Sequence, residues 1–550
     1  MKTKYRNLFW VLALVAALSF DQLFWQKPGG INFFIFVLIA LLGGLVPLWL
    51  EKVSIPWTSY LLLAPIVFFA GMTAIRTEPF TTATNGLITL GSVVLFTLTL
   101  RNGAWVRFNL KDYLVNTLKL GLNAFAGGIL FFAKTKPAGA PTESAEADPA
   151  ENAEATDSAE APKKPRKSAP YIRGILLALP VVILFTVLLA SADSVFNARL
   201  EGLVDWIRID NLGEFFFRLT YIAIIAYLLL GAYYYGLVES EKLQAGPADQ
   251  PMVKPFLGTI ESSIILGAVD LLFLTFVILQ FTYLFGGTEN ITLEGFTYSE
   301  YARRGFFELV AVAVISLGLF YLLSQETNRE GKAQKWLFSG LGLLLVAQVG
   351  VILVSAHTRL SLYEAVYGFT RLRTITHVFI IWLGILLLIA AGLELARKMY
   401  RLPFAVVLFI FGFGLTVNAM NLDRFIVEQN IHQALTTDEQ SDYAGLDAHY
   451  LYTLSYDAIP PLFETFDQPG LPADLKEELG GVLACRSVTE QTPDSAPWTS
   501  WQASRAEARS LFNSHSQILE NYLEMKQGEW NAVVNGELTP CYEYGFVGMD

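Results

Sequence analysis

The sequence predicts an all-α fold: a polytopic transmembrane helix bundle of about eleven spans with a mostly helical C-terminal extramembrane domain. Three observations carry this. Hydrophobic residues make up 53% of the 550-residue chain and charged residues 16%, with mean hydropathy +0.43, whereas a soluble domain carries about 25% charge. The apolar residues gather in runs of about 20, the length that crosses a hydrocarbon core with every backbone polar group bonded inside the segment. The charge is divided as well: from Asn421 onward there are 6 basic and 21 acidic residues, a formal −15 against +4 for everything before it. Soluble enzyme, nucleic-acid binder, collagen and disordered chain are thereby excluded as readings of the whole.

The apolar runs fall at 8–25, 31–50, 58–75, 81–100, 171–192, 214–236, 257–285, 305–323, 336–356, 374–395 and 402–420. The first follows Lys2, Lys4 and Arg6 and has the form of a signal peptide. It lacks a clean small-x-small site and a second span follows at once, so it reads as a retained helix. The 257–285 run is long for an upright span and predicts tilt or protrusion. Pro403 suits the first turn of the last helix. With the N-terminus inside, inside segments hold 23 Lys/Arg and outside loops 10, which satisfies the positive-inside rule. An odd number of spans then leaves the tail outside. The two cysteines of the chain, Cys485 and Cys541, both lie in that tail. An oxidising exterior fits them, and a disulfide between them is expected. The expected location is the cytoplasmic membrane, with the lipid bilayer as the one certain partner.

Four regions follow. Residues 1–133 form a four-span bundle ending in an amphipathic helix at 108–133, with Leu114, Leu118 and Leu122 on one face and Lys111 and Lys119 at its margins, the pattern of a helix lying in the inner interface. Residues 134–170 are Ala, Pro, Glu and Ser closing on Lys163, Lys164, Arg166 and Lys167. They have no apolar face to bury and read as a disordered cytoplasmic linker. Residues 171–420 form a seven-span core, with a short amphipathic segment at 195–212. Residues 421–550 form an acidic exoplasmic domain, helical at 421–435, 446–466 and 498–526, with a short hairpin in 528–546. In 498–526, Trp501, Ala508, Leu511, Ile518 and Tyr522 share a helical face. Pro460-Pro461 reads as the end of the second of these helices.

No phosphate loop, dinucleotide fingerprint, HExxH, CxxC pair or Gly-x-Ser-x-Gly elbow is present. His357, His377, His432, His449 and His515 are too scattered to propose a metal site, so neither metal nor cofactor is expected, and no nucleic-acid partner. The informative residues are ionisable groups at or near membrane depth. Asp270 sits mid-run in IILGAVDLLFLTFVILQ, with Gln280 within about 80° of its face and Glu261 on the other side. Asp270 must therefore face the bundle, be paired or be protonated. Glu300, Arg303, Arg304 and Glu308 stand at the outer mouth of one span, with Glu300/Arg304 and Arg304/Glu308 at helical pairing distance. Arg359, Glu364, Arg371 and Arg373 stand at another. Arginines in outside loops run against the positive-inside rule, so acids, lipid headgroups or an anionic ligand must hold them.

The stretches YSEYARRGFFELVAVAV, RLSLYEAVYGFTRLR, NLDRFIVEQNI and LDAHYLYTLSYDAIPPL occur in that order. In them the chain resembles the bacterial multi-pass membrane family labelled domain of unknown function 4173, with its sister family 4153 a near alternative. The resemblance runs from about Ile172 into the tail and leaves out the 134–169 insert and the cysteine pair. It implies an integral membrane protein of unestablished activity and no catalytic residue. It adds Tyr298, Tyr301, Tyr363, Tyr367, Asp423, Arg424 and Asp457 to the positions of interest. Three functions remain as expectations. The first is a non-enzymatic protein whose outer Arg/Glu/Tyr layer holds the tail or binds a protein or lipid partner. The second is a proton- or ion-coupled transporter using Asp270. The third is a transferase acting on lipid-linked substrates with Glu300 or Glu364 as base.

Overall fold

The computed structural model describes residues 6–133, 212–243, 256–284, 306–436, 445–489, 497–526 and 528–542, with isolated positions between 182 and 193. The expected linker, the 171–192 span and the 195–212 segment lie essentially outside these residues. A first group of helices comprises α1 (Arg6–Phe24), α2 (Ile31–Leu50), α3 (Trp57–Tyr60), α4 (Leu63–Met72), α5 (Pro79–Thr99), α6 (Leu110–Ala133) and α7 (Leu212–Tyr234). A second comprises α8 (Thr259–Leu284), α9 (Phe306–Glu326), α10 (Lys332–Tyr367), α11 (Arg371–Leu395) and α12 (Leu402–Met420). The chain is a polytopic helical bundle. Among the described residues, eight helices are long and apolar enough to cross a membrane, and Leu8–Phe24 and Trp57–Met72 are shorter apolar ones.

The first group packs around Phe9, Leu48, Leu62, Ile66, Phe96 and Leu230. The second packs around Leu266, Phe320, Phe338, Val349, Leu360 and Leu383. Helices α5 and α12 join the two. Asn85 and Asn418, both fully buried, exchange side-chain amide bonds of 3.0 and 2.7 Å. This is how two amides are satisfied where no water reaches. The buried hydroxyls of α5 bond within their own helix, Thr89 to the Asn85 carbonyl and Ser92 to that of Ile88, each at 2.7 Å. Helix α10, with 36 residues, spans about 54 Å and overshoots a 30 Å hydrocarbon core. The 26-residue α8, from the run expected to be overlong, spans about 39 Å and overshoots as well; α10, which the sequence did not single out, is longer still. Helix α6 is helical as expected and leaves Leu114, Leu118 and Leu122 59–66% exposed while burying Asn116 and Leu120.

The tail forms its own core. It holds α13 (Leu422–Thr436), α14 (Ala448–Thr453), α15 (Ile459–Phe466), α16 (Ala473–Thr489), α17 (Ala503–Leu519) and the strands β3 (Leu523–Lys526), β4 (Glu529–Val534) and β5 (Glu537–Pro540). Two-residue strands β1 (Leu257–Gly258) and β2 (Thr327–Asn328) pair in parallel, tying the start of α8 to the end of α9. Three expectations are corrected in the tail. Pro460 and Pro461 open α15 instead of ending a helix, because a missing N–H costs nothing in a first turn. The 498–526 helix is confined to α17, which buries Ala508, Phe512 and Leu519, while Trp501 and Ile518 stay 48% and 46% exposed. The expected hairpin is a three-stranded antiparallel meander that starts earlier, with Leu523 opposite Ala532. Asn535-Gly536, at φ 53° and 81°, makes the two-residue turn between β4 and β5 that left-handed residues favour. Cys485 of α16 and Cys541 are joined by a disulfide.

Candidate functional site

The tail docks on one end of the bundle, and two buried carboxylates organise the junction. Asp457 follows Ser455 in a short turn before α15. Its Oδ2 accepts from the Thr77 backbone N–H at 2.8 Å, the Thr77 hydroxyl at 2.9 Å and the Glu78 N–H at 3.1 Å. Its Oδ1 accepts from the Ser504 hydroxyl at 2.6 Å, and an Arg76 nitrogen lies 3.5 Å away. Asp423, in the first turn of α13, takes a two-pronged bond from Arg371, Nε to Oδ1 at 2.7 Å and Nη2 to Oδ2 at 2.6 Å. The Ser455 N–H adds a third bond at 2.6 Å. Both side chains are fully buried. Charges taken out of water need this degree of saturation.

Glu78 completes the layer. It caps α5 by accepting from the N–H groups of Phe80 at 3.0 Å and Thr81 at 2.6 Å, and its carboxylate lies 3.5 Å from Arg371. The Arg371 backbone N–H donates to the Tyr450 hydroxyl at 2.7 Å. Burial pushes the Tyr450 phenol up to about 12, which keeps it neutral. Beside this layer the backbones themselves join. The Ile31 N–H donates to the Trp501 carbonyl at 3.0 Å, and the Ala503 N–H to that of Ala74 at 2.9 Å. Gly30 admits the close approach, since a Cβ there would meet the Ser500 carbonyl at 2.7 Å. Gln502 reaches the carbonyls of Thr73 and Arg76, each at 3.2 Å.

Of the site residues expected from sequence, Tyr298, Glu300, Tyr301, Arg303 and Arg304 lie outside the described residues. Glu308 is exposed at the start of α9. The expected lattice is rearranged among the rest. Arg371 pairs with Asp423 and Glu78, not with the nearby Glu364. Glu364 is buried and meets His377 Nε2 at 2.7 Å; His377 Nδ1 in turn lies 2.8 Å from His357 Nδ1. Those two histidines, far apart in the chain, are therefore neighbours, although no group of three or more His, Cys, Asp or Glu among the described residues is arranged to hold a metal. Arg373 donates to the Gly368 carbonyl at 2.6 Å and covers the Tyr363 ring at 4.1 Å. Gly368 has φ 72°, a left-handed bend between α10 and α11 that a side chain would strain. Arg424 is paired at the surface with Glu428 at 2.7 Å and Glu464 at 2.9 Å.

Asp270 and Gln280 are both buried on α8, the helix that packs against α10. Gln280 accepts from the Ser355 hydroxyl at 2.8 Å and from Arg359 at 2.9 Å. Asp270 is 4% exposed and, among the described residues, neither of its carboxyl oxygens has a hydrogen-bond partner; its backbone carbonyl accepts from Gln348 at 3.0 Å. The Oε1 of Gln348 is likewise unpartnered. Glu261 turns away and accepts from the Gly258 N–H at 2.6 Å.

Sequence reasoning passed over Glu78, Arg76, Ser504 and the Asn85–Asn418 pair. Glu78-Pro79 carried a readable signal, an acid before a proline at the start of an apolar run. It also passed over Asp21, buried at the end of α1 and bonded by Arg218 Nε at 2.9 Å and by the Tyr221 hydroxyl. An acid at membrane depth was the available sign.

Comparison with curated proteins and with solved structures gives no match. A family model matches residues 63–465, from α4 through α15. The matched stretch begins well before Ile172, takes in Glu78, Asp270, Arg371, Asp423 and Asp457, and stops short of both cysteines. Of the two sister families that the motifs resemble, it is the second that the match supports; the first, 4173, is not shown. The chain belongs to the family described as domain of unknown function DUF4153.

Proposed function

We propose that this integral membrane protein is a non-enzymatic scaffold that holds its acidic C-terminal domain rigidly on the exoplasmic face of the cytoplasmic membrane, where the domain meets a protein or lipid partner. The observation that supports this most is the saturation of Asp423 and Asp457 by donors from both bundle and tail. The carboxylates of Asp423, Asp457 and Glu78 already have structural partners, which suits a clamp better than a reaction centre. The Cys485–Cys541 disulfide supports an oxidising location for the tail, as does the basic-residue count of the loops. The test is limited proteolysis of detergent-purified protein. Arg371→Met should free the tail for cleavage while the helices stay intact, and an unchanged digest discards the clamp. Impermeant thiol labelling of intact cells after mild reduction checks the side: labelling of Cys485 or Cys541 only after the membrane is broken overturns the exoplasmic assignment.

A second reading rests on Asp270, whose carboxyl has no hydrogen-bond partner among the described residues of the α8–α10 contact. A buried carboxyl with no structural bond is free to exchange a proton. As a proton-coupled transporter, the reconstituted protein should show pH-dependent flux that Asp270→Asn abolishes. Equal flux in both proteins removes this reading.

A further inference from the structure

The bundle end away from the tail carries a cleft of about 480 Å³ between the end of α9, the start of α10 and the turn after α11. Four cations line it: Arg329, Lys335, Arg397 and Lys398. Only one is spoken for. Arg329 donates to the buried Glu394 at 2.7 Å and to the Ser324 hydroxyl at 2.7 Å, with its guanidinium 3.8 Å over the Phe338 ring. Glu394 is itself filled by Ser339 at 2.8 Å and Ser324 at 3.1 Å. The side chains of Lys335, Arg397 and Lys398 have no ion-pair partner among the described residues. One acid against four bases leaves a formal +3 in a single concavity, and low-dielectric walls strengthen such a field.

The backbone at Arg397 adds an independent observation. Its φ is 55°. Its N–H donates to the Glu394 carbonyl at 2.9 Å and the next N–H, of Lys398, to that of Leu393 at 2.7 Å. This is the left-handed helix ending that glycine fills best. An arginine in this conformation carries a backbone strain that a glycine would not. Next in sequence to lining residues stand exposed apolar ones, Trp336 after Lys335 at 67% and Leu395 before Ala396 at 60%, as lipid-facing residues at an interface are.

We propose that this cleft binds an anionic phosphate ester, the headgroup of an acidic phospholipid, through Lys335, Arg397 and Lys398. The fixed Arg329–Glu394 pair forms its floor, and the acyl chains run along Trp336 and Leu395.

The test titrates detergent-purified full-length protein with short-chain phosphatidylglycerol, short-chain phosphatidylcholine and inorganic phosphate, reading the rise in melting temperature. Phosphatidylglycerol should bind and phosphatidylcholine should not. Arg397→Gly relieves the strained turn, so it should melt no lower than wild type without lipid, yet lose affinity about fivefold. Removing all three cations (Lys335→Gln, Arg397→Gly, Lys398→Gln) should lose on the order of a hundredfold, at about one such factor per cation. Inorganic phosphate binding as tightly as the lipid, and lost in the same variants, keeps the phosphate chemistry and assigns it to a soluble ligand. Equal binding of the two lipids, or full affinity in the triple variant, overturns the proposal.

Discussion

Asp457 and Asp270 are the same side chain in two opposite settings. At the tail junction, Asp457 receives five hydrogen bonds from three segments of the chain, at Thr77-Glu78, Ser455 and Ser504, and an arginine stands beside it. Inside the α8–α10 contact, the carboxyl oxygens of Asp270 receive none from the described residues. A buried charge removed from a saturated network leaves orphaned partners, whereas a carboxyl with no bonds leaves nothing behind. The contrast separates an acid that the fold depends on from one that the fold merely tolerates.

Substitution at the junction is the sharpest way to break that comparison. Arg371→Met strands Asp423 without its two-pronged partner, and losing one member of a buried pair costs about 3–5 kcal/mol. Detergent melting curves should show that loss; a change below about 1 kcal/mol would place the junction with Asp270 instead. Reduction of the Cys485–Cys541 bond, which closes a loop across 56 positions, should cost about 2–4 kcal/mol. That effect should stay within the tail, so hydrogen exchange should quicken in α16 and β4 and not in α10. Asp270→Asn should move the melting temperature little, by the equivalent of about 1 kcal/mol or less. A loss of several kcal/mol there would reveal a partner and end its distinction from Asp457.

The smallest expected effect concerns Glu478 in α16. Burial, and then the neighbouring Asp474, push its carboxyl above the usual glutamate range. A raised folded-state value means stability that is complete below the unfolded value and falls as pH rises through the folded one. Glu478→Gln should therefore melt slightly above wild type at neutral pH and equal to it in acid. A neutral-pH decrease would show that the charge is wanted.

Much of the bundle was legible because long apolar runs have one dominant solution in lipid. Ten of the eleven expected runs fall on described helices. The tail was less legible because its elements are short and context decides them. Leu523–Lys526 is made of good helix formers and becomes a strand by pairing with β4. Helix α16 escaped notice because Gly480-Gly481 interrupts its pattern; Gly480 lies under Tyr522, where a Cβ would sit 2.4 Å from the ring. At the site, residue types were readable and partners were not. Arg371 and Asp423 stood out individually, but ion pairing depends on which helix ends meet, and nothing local encodes that Thr77 and Asp457 are neighbours across 380 positions.

That separation bears on how the protein is made. The loop from Arg76 to Glu78 emerges from the ribosome early, yet the carboxylate that satisfies its N–H groups arrives 380 residues later, and the hydroxyl of Ser504 later still. During synthesis the first helices must wait with that rim wet and unfinished. Closure comes as a late step, when the last fifth of the chain folds back onto the beginning and seals both at once.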